Sequence, residues 1–514
     1  MIKKSPDDYP VPKLLPTDAE KVQWHSPAMW ATDNIVLDGK PFTFKDRPYL
    51  VQIYMTHLAE EVVVRKAAQM GFTVWANITN LWYLKNPLIN ENSLYVFPTF
   101  KKASDFSQAR LKPLLTQSPA FRFDNVDVDN VGLKRIAGHN WYFRGAKNED
   151  QITEMTAGLI TVDEVDELEN VEIITKIKKR ASAAEFKSYR YLSTPTYPEI
   201  GIDALFMDSS QAEWYIKCDN CGKEQCLDFF KNIDLKHPEK GTICSKCKAP
   251  IDRLKNGRWI HKYNHKRLGY HISQLYAPTV SVEELVEEYN NIKGEISKQI
   301  FYNMALGLPY IPKGGKISEM EIKAAGGNYN TGKLDGANDY FMGIDVGAEL
   351  HWVVINQDYK VADYGTCVDF EELDHIIDEY NVFRFVIDAL PETRKSKELA
   401  RRFEGRGGIC YYKATDSEKE IEDNMFQFNR DREVTLDTVF AYLRSRKAQL
   451  PTEAVNDPVF IEHLTNLIRV TETNARGQKV IKYMDYGKPD HYAHAMNYAF
   501  IARDSYDPPK ISFI

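Results

Sequence analysis

The stretch at residues 159–168, LITVDEVDEL, constrains the fold more than any other part of the chain. Four uncharged and largely β-prone residues precede the adjacent acids Asp163 and Glu164. A buried strand of a parallel sheet delivers acids in this way to the carboxyl edge of the sheet, where α/β folds bind their ligands. One carboxylate there can hold a hydrated Mg²⁺ while its neighbour orients or deprotonates an attacking water. A strand that ends in a solvated acidic loop explains the same letters equally well.

A second strand-turn segment precedes this stretch in the chain. The letters VVVRKAAQMGFT, which begin at Val62, run from a β-branched segment into a turn that ends in Gly-Phe-Thr. Such a turn offers phosphate the backbone amides around Gly71, a helix N-terminus, the ammonium of Lys66 and the hydroxyl of Thr73. The usual phosphate-binding loop has Gly first and Lys next to last, whereas here Lys comes first and Phe takes the next-to-last place. A plain strand-turn-helix is the alternative, and pairing with the acidic strand end favours the phosphate-binding interpretation.

Strands and helices alternate around these two segments. Residues 92–97 predict a buried strand and residues 101–111 a helix behind it, an alternation typical of a mostly parallel α/β sheet. The letters RYLSTPT predict a further strand that ends in the hydroxyls of Ser193, Thr194 and Thr196. These hydroxyls suit the sensing of a γ-phosphate or its metal, although hydroxyls that cap a turn or a helix explain them equally.

Four of the seven cysteines form two CxxC pairs. The pairs are Cys218 with Cys221 and Cys244 with Cys247, separated by 22 residues. Two such knuckles place four thiolates tetrahedrally around one Zn²⁺, and four cysteines leave no open position for substrate, so the zinc would be structural. A redox dithiol is the weaker alternative. Cys226 and His237 lie between the knuckles and are the substitute ligands to consider.

Three acids in the second half of the chain form another candidate site. Asp345 lies inside an apolar strand, Asp388 ends a second one, and Asp490 begins a C-terminal helix, whose first turn favours acids. A carboxylate in an apolar strand is costly unless something such as a divalent metal offsets its charge. Three carboxylates from two strands and a helix can hold two metal ions, the arrangement that hydrolyses phosphodiesters by in-line attack. Taken singly, each acid is better explained as a capping or turn Asp. His491 and His494 lie close enough to be auxiliary groups, and a surface or capping role explains them about as well.

Shifts in composition suggest the domain boundaries. Residues 1–45 are rich in Pro, Asp and Lys and predict an extended leader. Gly, Lys, Asn and Thr dominate residues 313–338, which predicts a flexible boundary there. We predict a first domain at 46–330 with a zinc-ribbon insertion at 214–262, a linker at 331–338 and a second domain at 339–514.

Charge and hydropathy limit the classes of function. The formal net charge of −7 argues against a uniformly basic nucleic-acid binder, while short basic runs are better explained as solvated faces. No run approaches the roughly 18 apolar residues of a membrane span. The N-terminus has no apolar segment typical of a secretory signal, so we expect a cytoplasmic location.

The set KAAQMGFT, LITVDEVDEL and YLSTPT, followed by the three later acids, resembles the large terminase subunit of tailed phages of the lambda-like type, the motor and nuclease that package phage DNA. The resemblance covers most of the chain, and its motifs occur in the family's order. It implies a P-loop ATPase domain with a parallel sheet and a zinc-ribbon insertion, followed by an RNase H-like α/β nuclease domain. That family has an ATP loop with a displaced lysine, which accounts for the unusual place of Lys66.

The resemblance also implies roles for individual residues. The residues that would contact ATP or its Mg²⁺ are Arg65, Lys66, Gln69, Gly71, Thr73, Asp163 and Thr194. Glu164 would activate the attacking water, and Asp345, Asp388 and Asp490 would hold the Mg²⁺ or Mn²⁺ of the nuclease. Arg65 would supply transition-state charge, in cis or across a subunit contact. Asp166 and Glu167 are expected to be surface or partner-facing acids.

The partners implied by the resemblance are double-stranded DNA, a small terminase subunit and the portal of an empty capsid, with assembly into a homo-oligomeric ring in the cytoplasm of the host cell. Two alternatives belong to other classes. A repair or restriction helicase-nuclease would require further helicase motifs and a second motor lobe, for which the sequence offers no convincing candidate. A zinc-ribbon DNA adaptor with a degenerate loop would lack ATPase activity in the presence of DNA and capsids.

Overall fold

The computed structural model describes residues 26–121, 129–147, 152, 155–168, 173–337, 339–421, 424–473 and 479–506. The first 25 residues of the predicted leader lie outside these ranges, as does Asn338 at the end of the predicted linker. By its internal contacts the chain divides into two compact units, Met1–Pro312 and Lys313–Ile514.

An eleven-stranded mixed sheet forms the centre of the first unit in the described part of the chain. After a short hairpin of β1 (Val36–Leu37) and β2 (Lys40–Pro41), the strands of this sheet are β3 (Glu61–Lys66), β4 (Ser93–Phe97), β5 (Asp129–Asn130), β6 (Leu133–Ile136), β7 (His139–Gly145), β8 (Leu159–Asp163), β9 (Ser188–Ser193), β10 (Ala212–Lys217), β11 (Glu224–Cys226), β12 (Arg258–His261) and β13 (Arg267–Ile272). Their order is β11-β10-β13-β3-β9-β8-β4-β7-β6-β5, with β12 paired to β10. From β10 to β7 every pairing is parallel. The predicted mostly parallel α/β sheet is confirmed.

Helices flank this sheet. They are Pro27–Asn34, Pro48–Tyr54, Phe72–Lys85, Phe100–Phe106, Lys112–Gln117, Ile173–Lys178, Gly201–Met207, Phe229–Asn232, Val282–Asn290 and Glu295–Ile300, with π-helical turns at Ser107–Leu111 and Phe301–Ala305. All residues of β8 and β9 are buried, as expected for central strands covered on both faces. Because β3, β8 and β9 pair in parallel, their carboxyl ends meet at one edge of the sheet, where the predicted nucleotide-binding residues lie.

Part of the predicted leader differs from an extended segment. Residues 27–34 form a helix, for which Ser26 is the N-cap and accepts a hydrogen bond from the amide of Met29 at 3.3 Å. Trp30 and Ala31 of this helix are buried in the hydrophobic core of the first unit. The Pro-rich composition did not reveal the helix because proline is also favoured in the first helical turn, where Pro27 lies.

The cysteine-bearing segment is continuous with the main sheet. β10 pairs with β11 and β12 in antiparallel fashion and with β13 in parallel. The indole nitrogen of Trp259 donates to the carbonyl of Tyr49 at 2.9 Å, and its ring packs edge-on against Trp214. The predicted insertion at 214–262 is therefore an extension of one side of the main sheet.

The second unit is built on a seven-stranded sheet. Its strands are β14 (Tyr340–Val346), β15 (Leu350–Asn356), β16 (Val361–Cys367), β17 (Val382–Asp388), β18 (Gly407–Tyr412), β19 (Ser417–Ile421) and β20 (Met425–Arg430), and a separate hairpin comprises β21 (Ile468–Thr473) and β22 (Lys479–Met484). The order is β16-β15-β14-β17-β18-β20-β19. The helices are Glu319–Ala324, Phe370–Glu379, Thr393–Arg402, Arg432–Arg444, Pro458–Thr465 and His491–Asp504.

The C-terminal helix His491–Asp504 packs closely on the central strand β14. A Cβ atom added to Gly343 would lie 2.0 Å from the carbonyl oxygen of Ala495, so only glycine allows this approach. The close packing brings the start of the helix, where Asp490 lies, to the part of β14 that carries Asp345.

The boundary between the units differs from the predicted domain limits. Residues 313–330, which the predicted limits assign to the first domain, lie in the second unit. The side chains of Ile317 and Ile322 are buried in its hydrophobic core, and Ser318 forms a capping box with Glu321. The shift in composition begins at Lys313, which is also the first residue of the second unit. The predicted linker at 331–338 lies farther from this boundary. None of the described helices has the length and apolar character required to cross a membrane.

Candidate functional site

The predicted phosphate-binding loop joins β3 to the helix Phe72–Lys85. Lys66 is the last residue of β3, and Gly71 precedes the helix in the left-handed conformation, with φ of 82°. A Cβ atom at Gly71 would meet the side chain of Arg47 at 3.2 Å, so both the backbone and the space favour glycine. Gln69 also has a positive φ, of 60°. The loop therefore turns sharply into a helix N-terminus, which favours an anionic ligand.

Thr73 and Asp163 are brought together from positions 90 residues apart in the sequence. The hydroxyl of Thr73 donates to Oδ2 of Asp163 at 2.9 Å, and the hydroxyl of Tyr95 donates to the same oxygen at 3.1 Å. Burial raises the pKa of Asp163, while the charge of Lys66 and the Thr73 hydrogen bond act in the opposite direction. A hydroxyl and a carboxylate are the two ligand types that nucleotide-bound Mg²⁺ takes from a protein.

Glu164 follows directly, at the sheet edge. Its backbone is left-handed, with φ of 59°, and its amide donates to Oδ1 of Asp163 at 3.0 Å. The ammonium of Lys102 forms ion pairs with both Glu164 and Glu167. Lys102 was not identified from the sequence, because nothing in its surroundings on the helix Phe100–Phe106 distinguishes it from a solvated lysine.

The carboxylate of Asp166 is turned inward, so the prediction of a surface acid was wrong. Its Oδ2 accepts from the amide and the hydroxyl of Thr196, at 2.7 and 2.8 Å, and its Oδ1 accepts from the amide of Ile202 at 2.7 Å. Burial raises the pKa of Asp166 to about 6 despite these donors. Glu167 is exposed, as predicted. The sequence alone could not distinguish Asp166 from Glu167, because the direction of each side chain is set by the turn after β8.

Arg65 is held away from the loop. Its guanidinium forms a buried ion pair with Asp203 and lies 4.0 Å from the centre of the Phe206 ring. Successive residues of a strand point to opposite faces of a sheet, and these contacts hold Arg65 on the face that carries Asp203 and Phe206. The arrangement gives no support to a transition-state role for Arg65 in its own subunit.

Thr194 follows β9 at the same edge of the sheet. Its carbonyl accepts from the hydroxyl of Ser193 at 2.9 Å, and the Ser193 hydroxyl in turn accepts from the amide of Asp166 at 3.2 Å. The predicted hydroxyl-rich strand end is therefore linked by hydrogen bonds to the acidic turn.

The four paired cysteines form a compact cluster. The Sγ atoms of Cys218, Cys221, Cys244 and Cys247 all lie within 4.8 Å of one another. The separations are 3.7 Å between Cys218 and Cys247 and 3.6 Å between Cys221 and Cys244. Four thiolates around a tetrahedral Zn²⁺ would be about 3.8 Å apart for Zn–S bonds of about 2.3 Å. The cluster therefore fits a structural zinc ion.

Polar groups surround the cluster in a manner that suits thiolates. The side-chain amide of Gln225 donates to Sγ of Cys244 at 3.3 Å, and that of Asn220 donates to Sγ of Cys247 at 3.4 Å. The two residues considered as substitute ligands do not belong to the cluster. Cys226 has its thiol 3.9 Å from the carbonyl of Leu227, and His237 pairs with Glu239.

The three predicted nuclease acids lie near one end of the sheet in the second unit. Ile344 pairs with Ile387 in the parallel strands β14 and β17, so Asp345 and Asp388, which follow them, are neighbours. Burial and the nearby charge of Asp345 raise the pKa of Asp388 to about 6. Asp490 is the N-cap of the helix that packs on β14. Among the described residues, these acids are not part of any group of three ligand atoms within 4.8 Å.

Each of two nuclease acids has a histidine partner. Nδ1 of His491 lies 2.9 Å from Oδ2 of Asp345, and Nε2 of His494 lies 3.1 Å from Oδ2 of Asp490. The hydrogen bond with Asp345 raises the pKa of His491. Burial acts to raise the pKa of Asp490, but His494 and the guanidinium of Arg432, 3.9 Å away, bring it below its usual value. Hydrogen bonds with the two histidines and the positive charge of Arg432 therefore stabilise these carboxylates.

Two family models match the chain. Residues 40–260 match "Phage terminase large subunit gpA, ATPase domain", and residues 267–356 match "Terminase large subunit gpA, endonuclease domain". Together these matches span more than half of the 514 residues. The chain belongs to the phage terminase large subunit family. The matched domains are those of an ATPase and an endonuclease, so this terminase large subunit has both activities.

Solved structures of large terminases are similar to this one. The crystal structure of the large terminase of bacteriophage HK97 is 13% identical in sequence, with 93% of this chain and 98% of that chain covered and a TM-score of 0.53, which shows a shared fold. A structure of the large terminase from a thermophilic bacteriophage is 12% identical, with 86% and 93% covered and a TM-score of 0.32. No curated protein sequence matches this terminase large subunit.

Proposed function

We propose that this phage DNA-packaging motor hydrolyses ATP at the loop from Lys66 to Thr73 of its first unit and cuts DNA at Asp345, Asp388 and Asp490 of its second. The observation that carries the ATPase half is the hydrogen bond between Thr73 and Asp163, which joins the loop to the acidic strand end. A loop, a hydroxyl and an acid pair at the carboxyl edge of parallel strands are what a magnesium nucleotide requires.

Each of the predicted ATPase residues has a separate role. Lys66 and the amides around Gly71 bind the phosphates, and Gln69 and Thr194 lie beside them at the same edge. Thr73 and Asp163 hold the Mg²⁺ of ATP, and Glu164 orients and deprotonates the attacking water. Lys102 holds the Glu164 carboxylate at the sheet edge. Hydrolysis requires that Glu164 exchange this ammonium for the water.

The nuclease residues form the second centre. Asp345, Asp388 and Asp490 would hold two Mg²⁺ or Mn²⁺ ions, which when bound activate a water and stabilise the leaving oxygen. His491 orients Asp345 through their hydrogen bond, and His494 with Arg432 orients Asp490. The raised pKa of Asp388 fits this use, because a nearby cation would restore its charged form.

We further propose that Cys218, Cys221, Cys244 and Cys247 hold one structural Zn²⁺. Support comes from the separations of the sulfur atoms and from the amide donors around them. Because β10 and β12 belong to the main sheet, the ion would stabilise the first unit and not a freely hinged module.

The partners follow from the family. Packaging implies double-stranded DNA as the substrate that is moved and cut. A small terminase subunit, the portal of an empty capsid and a homo-oligomeric ring in the host cytoplasm complete the proposal.

A double dissociation tests both centres together. We expect Glu164→Gln to lower DNA-stimulated ATP hydrolysis to a slow residual rate, about a hundredfold or more below wild type, while leaving Mn²⁺-dependent DNA cleavage within about twofold of wild type, and Asp345→Ala to do the reverse. The conservative Gln keeps the shape of the side chain and removes its charge and its basicity. Loss of both activities in either variant, or of neither, would contradict the assignment of separate sites. Wild-type protein without ATPase activity in the presence of DNA and capsids would favour the adaptor alternative.

A further inference from the structure

We infer that Asp166 is a positioning residue of the ATPase reaction, which fixes the turn bearing Glu164 against residues 193–196. The inference rests on the proposed role of Glu164 as the water-activating acid. The carboxylate of Asp166 accepts its hydrogen bonds from Thr196 and Ile202, which lie outside the phosphate loop. Its effect on the reaction would therefore pass through the position of Glu164.

Three donors converge on the Asp166 carboxylate. Oδ2 accepts from both the amide and the hydroxyl of Thr196, and Oδ1 accepts from the amide of Ile202, all at 2.7 or 2.8 Å. Hydrogen bonds from such donors to an ionised carboxylate are about twice as strong as those between neutral groups. Leaving these donors without their acceptor is correspondingly costly.

A glycine requirement supports the same contact independently. Gly201 has φ of 55°, and a Cβ atom there would lie 2.5 Å from Oδ1 of Asp166. The first turn of the helix Gly201–Met207 therefore comes close to the carboxylate only because position 201 has no side chain. Any other residue at this position would displace the carboxylate and strain the backbone.

The link reaches in both directions along the chain. On one side, the amide of Asp166 donates to the hydroxyl of Ser193, and Glu164 begins the same turn in a left-handed conformation. On the other, the carbonyl of Thr196 accepts from the amide of Tyr310 at 3.0 Å and from the side chain of Asn303 at 3.1 Å. A change in the turn after hydrolysis would thus be transmitted to the segment that precedes Lys313 in the chain.

Asp166→Asn is the direct test. The amide group of Asn would face one of the donors, so we expect kcat for DNA-stimulated ATP hydrolysis to fall by about tenfold or more. The dissociation constant of a fluorescent ATP analogue should stay within about threefold, because the loop residues are untouched. Asp105→Asn, which removes an exposed acid from the same unit, is the charge-matched control and should behave as wild type.

Thr196 provides a second pair of variants that keeps the test decisive if Asp166→Asn does not fold. Thr196→Val removes the hydroxyl donor and keeps the shape of the side chain, and we expect it to lower kcat. Thr196→Ser keeps the donor and should retain most of the wild-type kcat. A general loss of structure in the first unit would also weaken ATP binding, so the dissociation constant of the ATP analogue is measured on each variant and should be unchanged, as should Mn²⁺-dependent DNA cleavage.

A double-mutant cycle with Glu164→Gln completes the experiment. If Asp166 acts through Glu164, adding Asp166→Asn to Glu164→Gln will lower the residual rate by less than about twofold. A folded Asp166→Asn protein with wild-type kcat, or one that loses ATP affinity alone, would overturn the inference. Wild-type ATPase activity of Glu164→Gln itself would instead overturn the proposed function on which it rests.

Discussion

The cysteine cluster and the nuclease acids are both candidate metal sites, yet they differ in how closely their ligand atoms approach one another. The sulfur atoms are 3.6 to 3.7 Å apart in two of their pairs, and all four lie within 4.8 Å. The three carboxylates, among the described residues, do not meet that limit. The four thiols are thus already close enough to bind one metal ion, whereas the ligand atoms of the three acids are farther apart.

The physical reason lies in how each set is built. Each CxxC pair is one tight turn, in which the amide of Gly222 donates to the carbonyl of Cys218 and that of Lys248 to the carbonyl of Cys244. Local hydrogen bonds therefore fix the thiols. The acids come from two strands and a helix, and repulsion between the carboxylates of Asp345 and Asp388 adds to the effect of burial in raising the pKa of Asp388. On the proposed assignments, the nuclease acids would need bound cations to draw together, while the cysteine cluster would need a cation mainly for stability.

The largest effect is expected at the cysteine cluster. Cys218→Ser should abolish stoichiometric zinc binding and lower the free energy of unfolding of the first unit by about 4 kcal/mol or more, because loss of a bound structural metal removes its binding energy from folding. Metal analysis and calorimetry on the purified protein measure the two quantities. Cys226→Ser is the matched control, since this thiol lies outside the cluster. Retention of a full zinc equivalent by Cys218→Ser would show that the cluster is not the site.

A smaller effect is expected at His491. His491→Ala removes the group that orients Asp345, so the Mn²⁺ concentration for half-maximal cleavage should rise by about tenfold. ATP hydrolysis should be unaffected. His375→Ala, which removes an exposed histidine of the same unit, serves as control. If the metal requirement of the His491→Ala protein is unchanged, the hydrogen bond has no part in assembling the site.

The smallest effect concerns the stability of the metal-free nuclease site. The folded-state pKa of Asp388 is raised to about 6, so between about pH 4 and 6 this carboxyl binds its proton more tightly in the folded protein than in the unfolded chain. The contribution of Asp388 to stability therefore falls as pH rises through this window, and Asp388→Asn should remove that contribution. At pH 8 without Mg²⁺ or Mn²⁺, the variant should be more stable by about 1 kcal/mol. Urea denaturation at several pH values measures this, and lower stability of the variant at pH 8 would contradict a carboxylate whose charged form is disfavoured by burial and by the charge of Asp345.

Local patterns predicted much of this molecule. The spacing of the cysteines predicts the cluster because each knuckle is a short-range structure, and the strand ending at Asp163 follows from an uncharged and largely β-prone run. The pairing of Arg65 with Asp203 joins residues 138 apart and depends on tertiary packing, so no local pattern reveals it. The inward direction of the Asp166 carboxylate likewise depends on the turn that begins at Glu164.

The N-terminal helix and the unit boundary show the same limit. Residues 27–34 belong to a stretch whose composition is that of a polar leader, but Trp30 packs into the hydrophobic core of the folded first unit. Ile317 and Ile322 lie in a segment whose overall composition predicts a flexible boundary, but their side chains are buried in the hydrophobic core of the second unit.

Anomalous diffraction from crystals of the protein, before and after soaking in Mn²⁺, tests the central contrast most directly. We predict a zinc peak among the four cysteine sulfurs in both crystals, and two manganese peaks among Asp345, Asp388 and Asp490 only after soaking, with the three carboxylates drawn closer together. Manganese bound elsewhere, carboxylates that do not move, or a cysteine cluster that contains no zinc would contradict the account.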